Sequence, residues 1–116
     1  MTIKPVEYRE EDEPEGIGAY NYATCDGVEF CAPPHRSYQA VIGQTFIGIG
    51  RRVGESATKV AESGRPAYVT IWMVNVYDCP PDHTGNSIWQ AGKQFEEDKD
   101  GAFRWAVEQL KQREQI

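Results

Sequence analysis

The chain contains few of the side chains on which most catalytic and metal sites depend. Its 116 residues include only two histidines and three cysteines. Three cysteines leave one thiol unpaired in any disulfide scheme, which fits a reducing compartment better than a secreted framework. The first residues, "MTIKPVEYREEDEPEG", also lack the apolar stretch of a secretory signal. These observations predict a cytoplasmic protein.

Long apolar runs and positive charges are also scarce. No stretch approaches the roughly 18 apolar residues of a membrane-spanning helix, so no membrane association is expected. Twelve Lys and Arg face 18 Asp and Glu, which gives a net charge of -6 at pH 7. Binding to a nucleic-acid backbone requires clustered cations. We therefore expect a protein partner with a basic surface rather than direct nucleic-acid binding; the oligomeric state is left open.

The chain does have enough apolar material for one core, since 40% of its residues are hydrophobic. This length fits a single domain, which we expect in residues 16–116 after an acidic arm in residues 1–15. Three alternatives stay open for the arm: a solvated, disordered tail, a segment that docks on a basic partner, or an edge strand containing Ile3, Val6 and Tyr8.

A β-hairpin is the firmest local prediction. Asp26-Gly27 lies between "IGAYNYATC" and "VEFCA", and Asp-Gly is a preferred pair for a two-residue type I′ turn. With this turn, Cys25 faces Val28. Because successive residues of a strand alternate in direction, Cys31 points to the face opposite Cys25.

Four further segments have the patterns of regular structure. Residues 37–53 predict one or two strands, with a bulge or a close backbone approach at the glycines. "ESATKVAESG" predicts a short helix with Ser56 as N-cap and Gly64 as its end. Residues 67–78 predict a central strand with two apolar faces, and "SIWQAGKQF" predicts another strand.

The C-terminal segment predicts an amphipathic helix, capped by Asp98 or Asp100. Its apolar residues recur at the spacing i, i+3, i+4, i+7 and form one stripe for the sheet: Phe103, Ala106, Val107 and Leu110. Strands followed by a closing helix indicate a two-layer α+β domain. We expect a mostly antiparallel sheet of four to six strands, the C-terminal helix and a short middle helix.

Two short stretches resemble one another, "CAPPH" at residues 31–35 and "CPPDH" at residues 79–83. Each has a cysteine, a proline pair and a histidine, just past a predicted strand end. Cys₂His₂ is a common zinc ligand set, and the candidate ligands are Cys31, His35, Cys79 and His83. Because a Cys-x2-4-Cys clip is absent, we expect no cofactor, with zinc as the alternative and a disulfide between the two cysteines as a further one.

The same residues raise the alternative of a thiol-dependent enzyme. A catalytic thiolate needs a nearby imidazole and a third, orienting group, for which Asp78 or Asp82 is a candidate. No family signature surrounds either cysteine. We therefore expect a protein that is not an enzyme.

The stretch "GIGRRVG" suggests a phosphate-binding loop. Its glycines at 48, 50 and 54 miss the Gly-x-Gly-x-x-Gly spacing by one residue. We interpret it as a twisted strand with an exposed pair, Arg51 and Arg52, suited to an acidic surface or a small anion.

Acidic and aromatic side chains are the candidates for partner binding. The acidic candidates are Glu10, Glu11, Asp12, Glu13 and Glu15, with Glu96, Glu97 and Asp98 second. The second set is also consistent with a solvated turn. Three tyrosines, Tyr20, Tyr22 and Tyr38, suggest a surface stripe of the kind enriched at binding hot spots.

In composition alone, the chain resembles the small inhibitors that phages and mobile elements encode against host defence systems, including some anti-CRISPR proteins. The resemblance implies a small acidic protein that occupies a basic groove, with carboxylates where phosphates would lie. The alternative function is a small zinc-binding structural module built on the two proline-containing stretches.

Overall fold

A single antiparallel sheet dominates the computed structural model, which describes residues 5–12, 18–79 and 87–116. Seven strands and two helices lie in these ranges, and each strand pairs with the next in chain order. The elements are β1 (Glu7–Asp12), β2 (Ala19–Cys25), β3 (Val28–Ala32), β4 (Tyr38–Ile42), β5 (Thr45–Glu55), α1 (Ala57–Ser63), β6 (Tyr68–Asp78), β7 (Ile88–Glu96) and α2 (Lys99–Gln112). The predicted α+β class with a mostly antiparallel sheet is confirmed.

The predicted number of strands, four to six, is too low for the described residues. Residues 37–53 contribute two strands, β4 and β5, because Gly43 takes a φ of 59° and reverses the chain between them. Strand β1 adds another, paired with β2 from Glu7 to Asp12. Of the three alternatives for the arm, the edge strand is the one observed for Glu7–Asp12; Ile3 lies outside the described residues.

The hairpin prediction is confirmed in register and turn. Cys25 pairs with Val28, and Tyr22 pairs with Cys31. Asp26 and Gly27 have φ angles of 52° and 83°, as a type I′ turn requires at both central positions. Cys25 is therefore buried under the sheet, while Cys31 lies on the opposite face.

The predicted helix ends are also observed. The Ser56 side chain accepts a hydrogen bond from the Lys59 amide at 3.1 Å, and Gly64 ends α1 with a left-handed φ of 70°. In α2, Asp98 is the N-cap and accepts from the Gly101 amide at 2.9 Å. Both helices begin where a side chain satisfies an otherwise unpaired amide.

The core lies between α2 and one face of the sheet. We call the face of the sheet that packs against α2 the helix face, and the other face of the sheet the open face. The predicted stripe of α2 is buried. Phe103 lies at the centre of the core. The rings of three other residues contact its ring edge-on, with ring centres 5.8, 5.2 and 5.0 Å away: Tyr8, Phe30 and Tyr38. Full burial of such a side chain stabilises the fold by about 3 kcal/mol. Side chains of β1, β3 and β4 therefore all contact α2 through Phe103.

The glycines of β5 mark a close approach rather than a bulge. The pairing of β5 with β6 is continuous, whereas a Cβ on Gly50 would lie 3.0 Å from the Ser37 hydroxyl. The bulge is instead between β6 and β7, where Gln90 is the extra residue opposite Val76 and Tyr77. This bulge places Trp89 on the open face.

Candidate functional site

The edge strand β1 carries four carboxylates, and all six of its residues are exposed. We call Glu7, Glu10, Glu11 and Asp12 the acidic edge. Tyr8 pairs with the buried Ala23 and faces the helix, so the alternation of the strand directs Glu10 and Asp12 to the helix face. Glu7 and Glu11 consequently lie on the open face, and the acidic edge presents charge on both sides.

One cation lies within β1 and organises its open face. Arg9 pairs with Glu11 at 3.2 Å and with Glu29 at 2.9 Å, and its guanidinium lies 4.1 Å from the centre of the Tyr22 ring. Exposed ion pairs of this kind contribute little to stability, about 0–1 kcal/mol. Within the described ranges, Glu11 is the one carboxylate of the acidic edge that forms an ion pair. The strand keeps a net negative charge.

Two of the three candidate tyrosines lie beside the acidic edge. Tyr20 pairs with Glu11 and Tyr22 with Arg9 on the open face, where both rings are half-buried. Tyr38 is different and corrects the predicted surface stripe. It is only 9% exposed and pairs with the buried Ile49, because β4 begins with its first side chain directed towards α2.

The second acidic set, Glu96, Glu97 and Asp98, has structural partners. Glu96 accepts hydrogen bonds from the Ser56 hydroxyl at 2.7 Å and from the Ala57 amide at 3.1 Å, at the start of α1. Glu97 pairs with Lys59 at 3.1 Å, and Asp98 caps α2. These carboxylates join the two helices to the end of β7, so the acidic edge is the better candidate for partner contact. Glu13 and Glu15 lie outside the described residues.

The two proline-containing stretches start from opposite ends of the sheet. Three chain reversals separate β3 from β6, so these strands are antiparallel and their last residues lie at opposite ends. Through Gln39 and Gly48, Cys31 aligns with Asn75, four residues before Cys79. Standard strand spacings put the two cysteines roughly 15–20 Å apart, whereas one zinc ion needs its thiolates at about 2.3 Å.

The described residues therefore do not assemble the zinc set. His35 follows Cys31 at one end, Cys79 lies at the other, and His83 is outside the described residues. No group of three or more metal-ligating side chains occurs in the part of the chain that the structure describes. The alternative disulfide is not formed either, since all three cysteines are free.

The thiols also lack the arrangement of a catalytic pair among the described residues. Cys25 is buried, and burial raises the pKa of its thiol, which keeps it protonated at neutral pH. Cys79 contacts the Ser87 hydroxyl at 3.4 Å. Among the described residues, no hydrogen bond joins one of the thiols to an imidazole, which the thiol-dependent alternative requires.

Residues 33–37, which connect β3 to β4 and which we call the corner after β3, lie next to basic and aromatic side chains. The sequence did not indicate this arrangement. The corner after β3 forms one wall of a cleft of about 530 Å³ on the helix face, and we call this the cationic cleft. Its functional side chains are His35, Arg36, Ser37, Arg51, Trp72 and Lys99. Lys99 was not recognised in the sequence because it follows a run of three acids. Arg51 and Arg52 were recognised as a possible anion site, but they lie on opposite faces of the sheet and only Arg51 lines the cleft.

An aromatic group on the open face was also missed. Trp89 is 57% exposed, and its indole N–H donates to the Asn75 side-chain oxygen at 3.1 Å. The rings of Phe46 and Tyr77 lie nearby on the same face, 5.7 Å apart. The alternation of β7 alone did not indicate this position, because the bulge at Gln90 changes which residues face outward.

Comparison with protein-family models, with curated proteins and with solved structures gives no match for this chain. In the described ranges, neither helix is long and apolar enough to cross a membrane. The function is therefore inferred from the geometry of the acidic edge and of the two sheet faces.

Proposed function

We propose that this chain is a non-enzymatic binding protein that docks its acidic edge on the basic surface of a partner protein. The observation that carries the proposal is that all six residues of β1 are exposed, with four carboxylates against one guanidinium. Tyr20 and Tyr22 lie next to this strand and supply apolar contact area. Tyrosine is enriched at binding hot spots because it combines a rigid ring with a polar group.

The arrangement of the carboxylates suits a basic groove. Alternate residues of a strand lie about 6.6–6.8 Å apart on one face, so Glu10 and Asp12 form a short row of negative charge on the helix face. On the open face, Glu7 and Glu11 lie about twice as far apart, on either side of Arg9. In a groove that binds nucleic acid, these carboxylates would take the places of phosphates. Opposite charge also speeds the encounter with a cationic partner and makes it dependent on salt.

The finer form of the proposal is an inhibitor of a host defence system, similar in character to anti-CRISPR proteins that phages encode. Blocking a nucleic-acid-binding groove is the simplest use of a protein with this charge. The proposal includes a cytoplasmic location, which the free cysteines favour, and a two-layer domain in which the open face is not covered by α2.

Affinity capture from host lysate, followed by quantitative mass spectrometry, tests the proposal. The test variant is Glu10→Gln/Glu11→Gln/Asp12→Asn, which removes three charges from the acidic edge. The matched control is Glu55→Gln/Glu62→Gln/Glu108→Gln, which removes three exposed charges elsewhere. Both variants have the same net charge, so a difference between them reports position rather than total charge.

We expect the wild type and the control to capture the same protein with a basic groove, and the test variant to lose most of it. A lower salt concentration should increase the difference, because screening weakens as ionic strength falls. Equal capture by both variants would contradict docking through the acidic edge. A test variant that captures normally but self-associates would show that the acids protect a sheet edge instead.

A further inference from the structure

The cationic cleft lies at the end of the helix face where β3 and β7 end. One wall is the corner after β3, with His35, Arg36 and Ser37, and the opposite wall is Arg51 of β5. Lys99, the first residue of α2, closes the cleft towards the core. Three segments far apart in sequence therefore direct polar side chains into one space.

The lining is positive in a chain whose net charge is negative. Three permanent cations, Arg36, Arg51 and Lys99, line the cleft, and none of the described lining residues is Asp or Glu. The ion pairs among the described residues do not include these three cations. Among the described residues, none of these three charges is therefore compensated by an ion pair, and Asp100 is the carboxylate that lies near Lys99.

The pKa of Lys99 reflects this environment. Burial lowers it, and the nearby Arg51 guanidinium lowers it further, while Asp100 opposes the change. Two cations that destabilise one another in a partly buried space are both stabilised when an anion enters between them. The direction of the shift agrees with the absence of a carboxylate from the lining.

Aromatic rings form the inner wall. The Lys99 ammonium lies 4.0 Å from the ring centre of Tyr8, 5.1 Å from that of Trp72 and 5.4 Å from that of Tyr38. Cation–π contacts of this length hold an ammonium in position. Trp72 is half-buried and also lines the cleft, so a bound ligand meets both charge and an indole ring. Tyr38 lines the cleft as well but is buried.

The corner that carries Arg36 is constrained by its backbone. The Arg36 amide donates to the Pro33 carbonyl at 3.0 Å, and Pro33 and Pro34 each fix one φ angle. Gly18 has a φ of 136°, and a Cβ there would lie 2.9 Å from Pro34. The start of β2 therefore packs tightly against the corner, which fixes the backbone that carries Arg36.

We infer that the cationic cleft binds a small organic phosphate with a planar ring, of the nucleoside monophosphate class. Arginine and lysine side chains are the usual ligands of phosphate, and an aromatic wall accepts a base by stacking. A cavity of about 530 Å³ is within the range of small-molecule sites, about 300–1,000 Å³, and is larger than a bare phosphate needs. This inference does not rest on docking by the acidic edge.

Isothermal titration of the full chain with adenosine monophosphate, adenosine and inorganic phosphate tests the inference. We expect the monophosphate to bind about tenfold or more tightly than either part alone, because it engages the cations and the aromatic wall together. Arg51→Gln should weaken its binding by about tenfold or more, the loss typical of one charge-assisted hydrogen bond.

Arg52→Gln is the matched control, because Arg52 is the next residue of β5 and lies on the opposite face. It removes the same charge and should change the affinity by less than about twofold, the effect of a distant screened charge. Thermal melting of both variants checks that each is folded. Tighter binding of the monophosphate, lost in Arg51→Gln and kept in Arg52→Gln, would establish the site.

Three results would overturn the inference. They are failure of the monophosphate to bind at millimolar concentration, equally tight binding of adenosine alone, and an equal loss of affinity in the two arginine variants. Inorganic phosphate that binds as tightly as the monophosphate would overturn the ring-binding part and assign the cleft to a simple anion. None of these results affects capture of a protein partner by the acidic edge.

Discussion

Two acidic segments of this protein look alike in sequence and differ in what they contact. "EYREED" forms β1 at the edge of the sheet, where its four carboxylates are exposed and one is in an ion pair within the described residues. "EED" at residues 96–98 lies between β7 and α2, and each of its carboxylates has a partner on α1 or α2. Charge pattern alone did not distinguish the two segments.

The difference comes from the hydrogen-bond donors that lie nearby. Helices begin with amides that have no partner within the helix, and both helices of the described residues, α1 and α2, begin beside residues 96–98. The carboxylates of β1 have no helix start beside them, and Arg9 is the one cation that pairs with any of them among the described residues. The acids between β7 and α2 are therefore expected to stabilise the fold, and the acids of β1 are expected to act on other molecules.

The largest effect should follow the loss of Glu96. Glu96→Ala removes two charge-assisted hydrogen bonds at the start of α1, including the one to Ser56, which is 1% exposed. We expect a loss of about 2–3 kcal/mol in the free energy of unfolding, measured by urea denaturation. Glu7→Ala on β1 is the control and should change stability by less than about 0.5 kcal/mol. An equal loss in the free energy of unfolding for Glu96→Ala and Glu7→Ala would contradict the different roles assigned to the two acidic segments.

A smaller effect is expected at the N-cap of α2. Asp98→Ala should cost about 1 kcal/mol, because the Gly101 amide loses its acceptor. Asp98→Asn should restore most of the loss, since asparagine is also a good N-cap. Thermal or urea unfolding measures both variants, and an alanine variant as stable as the wild type would remove the structural role assigned to this carboxylate.

The ion pair of Lys59 and Glu97 should contribute less again. Both side chains are about half exposed, and such pairs contribute about 0.2–1 kcal/mol. In a double-mutant cycle of Lys59→Met and Glu97→Gln, we expect a coupling energy in this range at low salt that vanishes near 1 M salt. A coupling energy above about 2 kcal/mol would contradict this prediction, because such a value is typical of a buried ion pair.

The smallest effect on stability should come from the acidic edge itself. Neutralising Glu10, Glu11 and Asp12 together should change the free energy of unfolding by less than about 0.5 kcal/mol, because these side chains are exposed and like-charged. Urea denaturation at low and high salt measures this change. Destabilisation above 1 kcal/mol would mean that β1 carboxylates also have structural partners.

Local features of the fold were predictable because short stretches determine them. The turn at Asp26-Gly27, the caps at Ser56 and Gly64, and the apolar stripe of α2 each depend on residues within a few positions of one another. Tyr38 was misplaced because its direction depends on how many residues the corner after β3 uses. The sequence does not state that number.

The arrangement of the two proline-containing stretches was not predictable for a similar reason. They would begin at the same end of the sheet if residues 37–53 formed one strand, whereas Cys31 and Cys79 lie towards opposite ends because these residues form two. The turn at Gly43 that decides between these topologies has no strong sequence signature. The cationic cleft was equally hidden, since Arg36, Arg51 and Lys99 come from segments far apart in sequence that line one cleft only in the folded chain.

The affinity of the captured partner for three forms of the protein tests the central claim most directly. The forms are the wild type, the variant neutralised at Glu10, Glu11 and Asp12, and the control neutralised at Glu55, Glu62 and Glu108. Our account predicts that only the variant neutralised at Glu10, Glu11 and Asp12 loses affinity, by about tenfold or more. This loss should become smaller as the salt concentration increases. Equal affinities for the two variants at every salt concentration would contradict it.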